Sequence, residues 1–149
     1  MYAGARDVSN ATELHELARS HANVKPVKLI STDLATNKAV AEQIKTEHGH
    51  LDVVVANAGV GHSFGSARDI SLDAMRDHVE INTLGPLMLF QQVAPLLTGD
   101  KPTFTVVSTS LASLSTKGTL PDIGYATSKT AVNMCVVCLL LLSRVALCD

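Results

Sequence analysis

The sequence predicts an α/β fold, a doubly wound parallel sheet with helices on both of its faces. Short apolar runs alternate with amphipathic segments along the 149 residues, as they do in repeated strand–helix–strand units. Residues 51–56 are apolar nearly throughout, which is typical of a central strand buried on both faces. The length and the hydrophobic content of 46% suffice for one domain with its own core.

Local signals define the elements of the first half. Tyr2 to Ala5 is predicted as a strand, and residues 10–21 as a helix, because Asn10 and Glu13 have the spacing of a capping box. Residues 27–31 form the next predicted strand. A second helix is expected from a cap at Thr36 to His48, where Gly49 ends it before the strand at residues 51–56.

The second half opens with one long predicted helix, marked by an apolar stripe at helical spacing: Leu72, Met75, Val79, Pro86, Phe90, Val93 and Leu97. A strand at residues 104–107 and a helix from Tyr125 complete the pattern. Asn82 lies on the stripe, so its amide is expected to be buried and to need partners. Pro86 has no N–H to bond the Asn82 carbonyl, which leaves that oxygen free for a water. A kinked helix with an ordinary core asparagine is the alternative.

Composition limits the functional classes. A net charge of -2 gives no basic excess for nucleic acid, and the sequence lacks the basic start and apolar run of a signal peptide. Three cysteines are compatible with a reducing cytoplasm. Cys135 and Cys138 lie in an apolar helix, so core packing is favoured over metal or redox use, and the six histidines have no ligand spacing. No metal site is expected.

Tyr125 and Lys129 form the most informative pair in the chain. Residues four apart share a helix face, so the lysine ammonium is expected beside the phenol. An adjacent cation favours the phenolate, and this suits a tyrosine that donates its proton to a carbonyl oxygen receiving hydride. On its own the pair also fits an ordinary exposed helix.

Further residues appear in a fixed order upstream: Asn57-Ala58-Gly59 after an apolar strand, then Asn82, then Ser110 after the strand at 104–107. With Tyr125 and Lys129, the order resembles the classical short-chain dehydrogenase/reductase family from Tyr2 to about residue 139. The resemblance implies a Rossmann-like NAD(P)-binding domain and an oxidoreductase that reduces ketones or oxidises secondary alcohols. It implies these catalytic residues: Asn82, whose backbone oxygen would hold a relay water, Ser110, Tyr125 and Lys129.

The catalytic serine has rivals. The resemblance favours Ser110, which precedes a small apolar pair and would steady the substrate carbonyl. Strand alternation points Ser108 to the same side as Ser110, so periodicity does not distinguish them, and Thr109 is also close. The distance in sequence from Ser110 to Tyr125 is long for the family, and residues 116–121 are interpreted as a small insertion.

Several residues are expected to contact the cofactor. Arg6 follows the first strand where a guanidinium suits a 2′-phosphate, which favours NADP(H), although Asp7 beside it fits the ribose hydroxyls of NAD(H). Asp33 and Leu34 resemble the family's adenine contact, or else form an ordinary helix start. The remaining contacts that the resemblance implies lie on the ribose side: Asn57, Ala58, Gly59, Tyr125 and Lys129.

The chain departs from the family at both ends. It lacks the glycine-rich phosphate turn and starts at what resembles the family's second strand, so roughly thirty residues, a strand-helix-strand unit, are expected to be missing. Residues 140–149 form an atypical tail, and the last strands and the substrate loop are absent. The predicted sheet is therefore incomplete, and a catalytically inactive truncated fragment is the alternative to an NADP-dependent enzyme.

Partners are predicted less sharply. The resemblance implies a small-molecule carbonyl or alcohol substrate. Within the family, the sequence looks most like fungal carbonyl and polyketide ketoreductases. The apolar helix from Tyr125 suggests a homo-oligomer. A membrane-attached piece is disfavoured, because the apolar run at residues 132–142 is shorter than the ~20 residues that span a bilayer.

Overall fold

The computed structural model describes residues 1–115 and 122–145, with side chains through residue 139. The strands in this part of the chain are β1 (Tyr2–Ala5), β2 (Lys25–Lys28), β3 (Val53–Ala56) and β4 (Thr103–Val106). The α-helices are α1 (Thr12–Ser20), α2 (Leu34–His48), α3 (Leu72–Val79), α4 (Gly85–Val93) and α5 (Ile123–Val145). Residues 116–121 and 146–149, which hold the suspected insertion and the last four residues of the atypical tail, lie outside the described residues.

The strands pair in parallel, as predicted. β1 pairs with β2, with Tyr2 opposite Lys25, and β3 pairs with β4, with Val53 opposite Thr103. Within the described residues these are two separate two-stranded sheets, and β1 does not pair with β3. The separation agrees with an expected sheet that lacks the strand between them.

One hydrophobic core lies under both sheets. Its buried residues come from β2, α2, α4 and the turn after α4: Val27, Val40, Ala41, Ile44, Val93 and Leu96. Val54 and Phe104 extend the core to β3 and β4, and the Phe104 ring meets the Phe90 ring edge-on at 5.1 Å. The core thus fixes α2 and α4 against the same side of all four strands.

The expectation that β3 is buried on both faces is wrong. Val53 and Val55 are 59% and 56% exposed, whereas Val54 packs against the core. Because successive side chains of a strand point to opposite faces, Val53 and Val55 project away from α2 and α4. The apolar run therefore forms a strand with one buried face, which carries Val54, and one exposed face, which carries Val53 and Val55.

Both predicted helix caps are also wrong. Asn10 donates its amide Nδ2–H to Asp7 Oδ2 at 2.5 Å, and α1 begins two residues later, after Ala11, without a side-chain cap. At α2 the cap is Asp33, whose Oδ1 accepts from Ala35 N at 2.8 Å and from Thr36 N at 3.4 Å. An acidic residue three positions before Thr36 offers a better acceptor to the free N–H groups than a hydroxyl.

The end of α2 is as predicted. Gly49 takes the left-handed conformation, with φ of 78°, and its N–H bonds the carbonyls of Ile44 and Lys45. A glycine adopts this φ without the steric cost that a Cβ imposes.

The long helix predicted over residues 72–97 is interrupted. α3 passes into a π-helical turn at Glu80–Leu84 before α4 begins, and a 3₁₀ turn at Ala94–Leu96 follows α4. Pro86 supplies no N–H to the carbonyl of Asn82, so the regular helical bonding pattern cannot continue there. Leu72, which the stripe placed inside, is 69% exposed, and Ala74 and His78 occupy the buried face of α3 instead.

Some boundaries and surfaces differ from the prediction by small amounts. β2 begins two residues before Val27, and α5 begins two residues before Tyr125. Cys138 is exposed and Cys135 half-buried, so core packing does not describe Cys138. Within the described part of the chain, no helix is long and apolar enough to cross a membrane, and no group of three or more potential metal ligands is present.

Candidate active site

Tyr125 and Lys129 lie one turn apart on α5, as the sequence predicts. Lys129 Nζ is 6.0 Å from the centre of the Tyr125 ring and donates to the carbonyl oxygen of Val107 at 2.7 Å. Lys129 is buried, and burial lowers the pKa of its ammonium. A single bond to a backbone carbonyl leaves the ammonium further donor capacity toward Tyr125 or a ligand.

Asn82 is joined to the same helix through Ser128. Ser128 is fully buried, and its Oγ donates to the Tyr125 carbonyl at 2.7 Å while accepting from Asn82 Nδ2 at 2.9 Å. Thr83, next to Asn82, donates its hydroxyl to the Ser128 carbonyl at 2.9 Å. Ser128 and Thr83 were not predicted from the sequence, although Ser128 lies between the two site residues of α5 and so had a recognisable position.

The side chain of Asn82 also fixes the loop that follows β3. Its Oδ1 accepts from Val60 N at 2.8 Å, and its Nδ2 donates to Val60 O at 2.9 Å. A Cβ on Gly59 would lie 3.0 Å from Asn82 Oδ1 and 3.4 Å from Lys129 Nζ. Only a glycine leaves this space open, so the loop, the π-helical turn and α5 meet at Gly59.

Two histidines support the loop beyond Gly59. His62 N donates to Nε2 of the fully buried His78 at 3.3 Å, and His78 Nδ1 lies 2.7 Å from the Ala74 carbonyl. His62 Nε2 pairs with Asp77 Oδ2 at 2.5 Å. These contacts place Gly61 against the Tyr125 ring, where an added Cβ would be 3.6 Å from Cδ2.

Ser110 lies on a short segment that α5 holds at both ends. Val107 accepts from Lys129, and the Ala112 carbonyl accepts from Thr130 Oγ1 at 2.9 Å. Ser110 opens the 3₁₀ turn between them and is exposed. Ser108 Oγ is buried, and within the described residues it has no hydrogen-bond partner.

A cleft at the carboxyl ends of β1 and β3 contains two of the expected cofactor residues. Asn57 and Ala58 line this cavity of about 370 Å³ together with Gly4, Ser31 and Pro86. Ligands of open parallel sheets bind at this edge of the strands. Gly59 follows Ala58 directly, so the cleft adjoins the cluster of Asn82, Tyr125 and Lys129.

Arg6 and Asp7 stand in different environments at the end of β1. The Asp7 carboxylate accepts from Ser9 N at 3.1 Å, from Ser9 Oγ at 2.5 Å and from Asn10 Nδ2. These bonds, chiefly those from Ser9, lower the pKa of Asp7. Arg6 is exposed and forms no ion pair in the described part of the chain. The turn therefore engages the carboxylate and leaves the guanidinium open to solvent.

Asp33 and Leu34 open α2. Asp33 serves as the helix cap, which is the alternative that the sequence left open, and Leu34 beside it is 43% exposed. Capping uses one carboxylate oxygen, Oδ1, so it does not by itself exclude a ligand contact.

Known proteins are similar to this chain over nearly its whole length. A family model described as short chain dehydrogenase matches residues 2–142. An uncharacterized oxidoreductase of Schizosaccharomyces pombe is 31% identical over 134 residues, which cover 89% of this chain and 53% of that protein. The norsolorinic acid ketoreductase of Aspergillus parasiticus is 29% identical over 143 residues, 90% of this chain and 53% of the relative. The chain spans about half the length of these curated relatives.

A solved structure shows the same fold. The NADPH-bound carbonyl reductase from chicken fatty liver superposes with a TM-score of 0.90 at 27% identity, covering 96% of this chain and 62% of the other. This likeness confirms the Rossmann-like α/β class that the sequence predicted. From the match of the family model to residues 2–142, we conclude that the chain belongs to the short-chain dehydrogenase/reductase family.

Proposed function

We propose that the chain carries the catalytic residues of an NADP(H)-dependent oxidoreductase that reduces small ketones or oxidises secondary alcohols. The observation that supports this most is that Asn82 and Lys129 meet at Gly59 while Tyr125 lies against Gly61, because a packing role alone does not require a buried lysine beside a tyrosine. The carbonyl and ketoreductase relatives support the same reaction class.

Each residue has a role in moving or holding a proton. Tyr125 donates its phenolic proton to the substrate oxygen as negative charge develops there, and Lys129 stabilises the phenolate left behind. Asn82 lies in the π-helical turn, and its backbone carbonyl faces a position where Pro86 supplies no N–H. That oxygen holds a relay water. A proton from solvent passes through this water and Lys129 to restore the Tyr125 phenol.

Ser110 is the proposed partner of the substrate oxygen, because its hydroxyl is exposed next to the segment that α5 anchors. Ser108 is the competing residue, since its buried hydroxyl is free of other bonds in the described part of the chain. Comparing Ser110→Ala with Ser108→Ala separates the two. We expect Ser110→Ala to lower the rate of ketone reduction without lowering the free energy of unfolding. Ser108→Ala should change the free energy of unfolding at most.

The residues present fit a nicotinamide dinucleotide on the ribose side. The space at Gly59, which a Cβ would fill, follows Asn57 and Ala58 of the cleft and is bordered by Lys129, and Tyr125 lies two residues further along the loop, against Gly61. Arg6 is available for a 2′-phosphate, and Asp33 with Leu34 would face the adenine. When bound, the nicotinamide supplies the hydride.

Cofactor binding tests this proposal. The sequence contains no glycine-rich phosphate turn, so we expect the chain alone to bind NADPH weakly, as judged by fluorescence titration. In any preparation that does bind, Arg6→Ala should reduce the preference for NADPH over NADH, whereas Arg19→Ala at the exposed end of α1 should not. An unchanged preference would remove Arg6 from the site.

A catalytically inactive fragment remains the second candidate. Inactivity is favoured because β1 and β3 belong to two separate two-stranded sheets in the described part of the chain. The cleft that would hold the cofactor therefore lies over a gap and not over one continuous sheet. Ketone-dependent oxidation of NADPH by the purified chain, abolished by Lys129→Ala, would exclude it.

A further inference from the structure

The loop between β3 and α3 contains a second group of reactive side chains, next to the candidate active site. Residues 61–65 are Gly-His-Ser-Phe-Gly, the G-x-S-x-G pattern with which serine hydrolases place a nucleophile on a tight turn. Ser63 has a φ of 53° and is the one non-glycine residue with a positive φ among the described residues. A serine held in this left-handed region is strained, and such strain is concentrated at functional positions.

His62 connects Ser63 to α3. Its Nδ1 lies 3.0 Å from Ser63 Oγ, and its Nε2 lies 2.5 Å from Asp77 Oδ2. A carboxylate only accepts hydrogen bonds, so Nε2 carries the proton of the neutral ring and Nδ1 accepts from the Ser63 hydroxyl. A nucleophile that bonds a base, with the base oriented by a third group, is the arrangement that activates serine.

The two ring nitrogens have exchanged the roles that they have in the usual catalytic triad. There the carboxylate bonds Nδ1 and the serine bonds Nε2. Either nitrogen of a neutral imidazole can carry the proton, so the exchange leaves the proton transfer from Ser63 to His62 unchanged. A triad is recognised by geometry and roles and not by the order of its residues along the chain.

α3 holds His62 in place through a second residue. The His62 N–H donates to Nε2 of the fully buried His78 at 3.3 Å, and the centres of the two rings are 4.5 Å apart. His78 is fixed in turn by its Nδ1, which lies 2.7 Å from the Ala74 carbonyl oxygen. The backbone and the ring of His62 are thus both held by a helix, which keeps the base in a set position.

Backbone donors lie next to the Ser63 hydroxyl. The N–H groups of Ser63 and Phe64 form no hydrogen bond within the described part of the chain. In serine hydrolases the N–H of the nucleophile, or of the residue after it, binds the oxyanion of the intermediate. Ser63 is exposed, and the Phe64 side chain beside it is 62% exposed. An open site with this one apolar side chain suits an ester with a short acyl group.

We propose that Ser63, His62 and Asp77 form a catalytic triad that hydrolyses small carboxylic esters, an activity separate from the proposed oxidoreductase chemistry. Ser63 Oγ attacks the carbonyl carbon of the ester, and its proton passes to His62 Nδ1. The C–O bond of the ester breaks, and the alcohol leaves with that proton. Water then attacks the acyl group on Ser63 with His62 as its base, so the carboxylic acid is released and Ser63 regains its proton.

A surface ion pair between His62 and Asp77 is the competing interpretation. It accounts for the 2.5 Å contact but leaves the left-handed Ser63 and its bond to the same ring without a reason. Asp73 on the same helix forms such a surface pair, with Arg76 at 2.7 Å. Asp73 is therefore the matched control for Asp77.

Labelling of the whole purified chain by a fluorophosphonate tests the proposal, because an activated serine displaces the fluoride and forms a covalent bond to phosphorus. We expect one adduct per chain, located at Ser63 by mass spectrometry of the peptides. His62→Ala and Asp77→Asn should slow labelling about 10²-fold or more. Asp73→Asn should be labelled at the parental rate.

Hydrolysis of p-nitrophenyl acetate is the second measurement. Ser63→Gly is the variant, because glycine adopts a φ of 53° without strain and so preserves the loop. We expect it to lose about tenfold or more of the parental rate. Ser9→Gly is the control, since the hydroxyl of this exposed serine bonds the Asp7 carboxylate and not a histidine.

Three results would overturn the triad: no adduct at Ser63, equal labelling of Asp77→Asn and Asp73→Asn, or equal hydrolysis by the parent and Ser63→Gly. Neither measurement contains a nicotinamide cofactor or a ketone. Their outcome is therefore independent of the proposed oxidoreductase function.

Discussion

Asn82 Nδ2 donates a hydrogen bond to Ser128 Oγ at 2.9 Å, and both residues are fully buried. This contact joins the π-helical turn to the helix that presents Tyr125 and Lys129. The site thus depends on an internal polar link as well as on the residues that would touch a substrate, and buried links of this kind are costly to break.

Replacing Ser128 by alanine should show that cost. Ser128→Ala removes the acceptor of Asn82 Nδ2 and the donor to the Tyr125 carbonyl, so we expect the free energy of unfolding to fall by about 1–3 kcal/mol. Urea denaturation measures this, with the exposed neighbour Thr127→Ala as the control. Equal stability of the two variants would mean that the link contributes nothing.

Tyr125→Phe tests the proton donor. In a preparation that reduces a ketone with NADPH, kcat should fall ~10²- to 10⁴-fold with little change in NADPH affinity, because only the acid is removed. Tyr2→Phe is the matched control, since the hydroxyl of Tyr2 bonds Glu47 outside the site. A Tyr125→Phe enzyme that kept more than about a tenth of the rate would contradict the assignment.

Gly59→Ala tests the meeting point of the loop and the site. The added Cβ would approach Asn82 Oδ1 to 3.0 Å, so Asn82 or the loop must move, and we expect a loss of about 1–3 kcal/mol in unfolding free energy. Gly65→Ala is the control, because its Cβ would meet nothing within 4 Å and its φ is not positive. Identical melting of the two variants would show that the site tolerates the methyl group.

The sequence predicted some features because they depend on neighbours in the chain. Tyr2–Ala5 and the stop at Gly49 were predicted correctly, since a short apolar run and a glycine act through local conformation. The placement of Tyr125 beside Lys129 followed from helix geometry alone.

Other features depend on contacts that the sequence does not display. Asn10 was predicted as a helix cap, but its side-chain amide bonds Asp7 instead. Val53 and Val55 have the composition of a buried strand, but nothing in the described residues covers their face. Pro86 marks the break in the helix, but the partners of the Asn82 side chain, Val60 and Ser128, lie 22 and 46 residues away. Side-chain pairs at such separations are fixed by tertiary structure and not by local pattern.

Acid should weaken the contact between β2 and α2. The Lys25 ammonium, with the Tyr2 hydroxyl and Gln43, lowers the pKa of Glu47 from its usual 4.5 to about 2. A carboxylate with a depressed pKa in the folded state stabilises the fold above pH 4.5, and this contribution is lost as the pH falls from 4.5 toward 2.

Glu47→Gln should therefore lower the Tm at neutral pH, and the difference from the parent should shrink in that acidic range. Thermal melts at several pH values measure it, and Glu42→Gln, at an exposed and longer ion pair of 3.7 Å, is the control. A difference that stayed constant down to pH 2 would refute the role of the ion pair with Lys25.

The bare face of β3 should make the purified chain associate and bind a hydrophobic dye. Val53 and Val55 are both more than half exposed, and contiguous exposed apolar side chains drive association. A double variant, Val53→Lys with Val55→Lys, should reduce both light scattering at micromolar concentration and dye fluorescence. Thr105→Lys, which adds charge opposite Val55 without removing an apolar side chain, is the control. A parent chain that is monodisperse and binds no dye would show that this face is covered in solution.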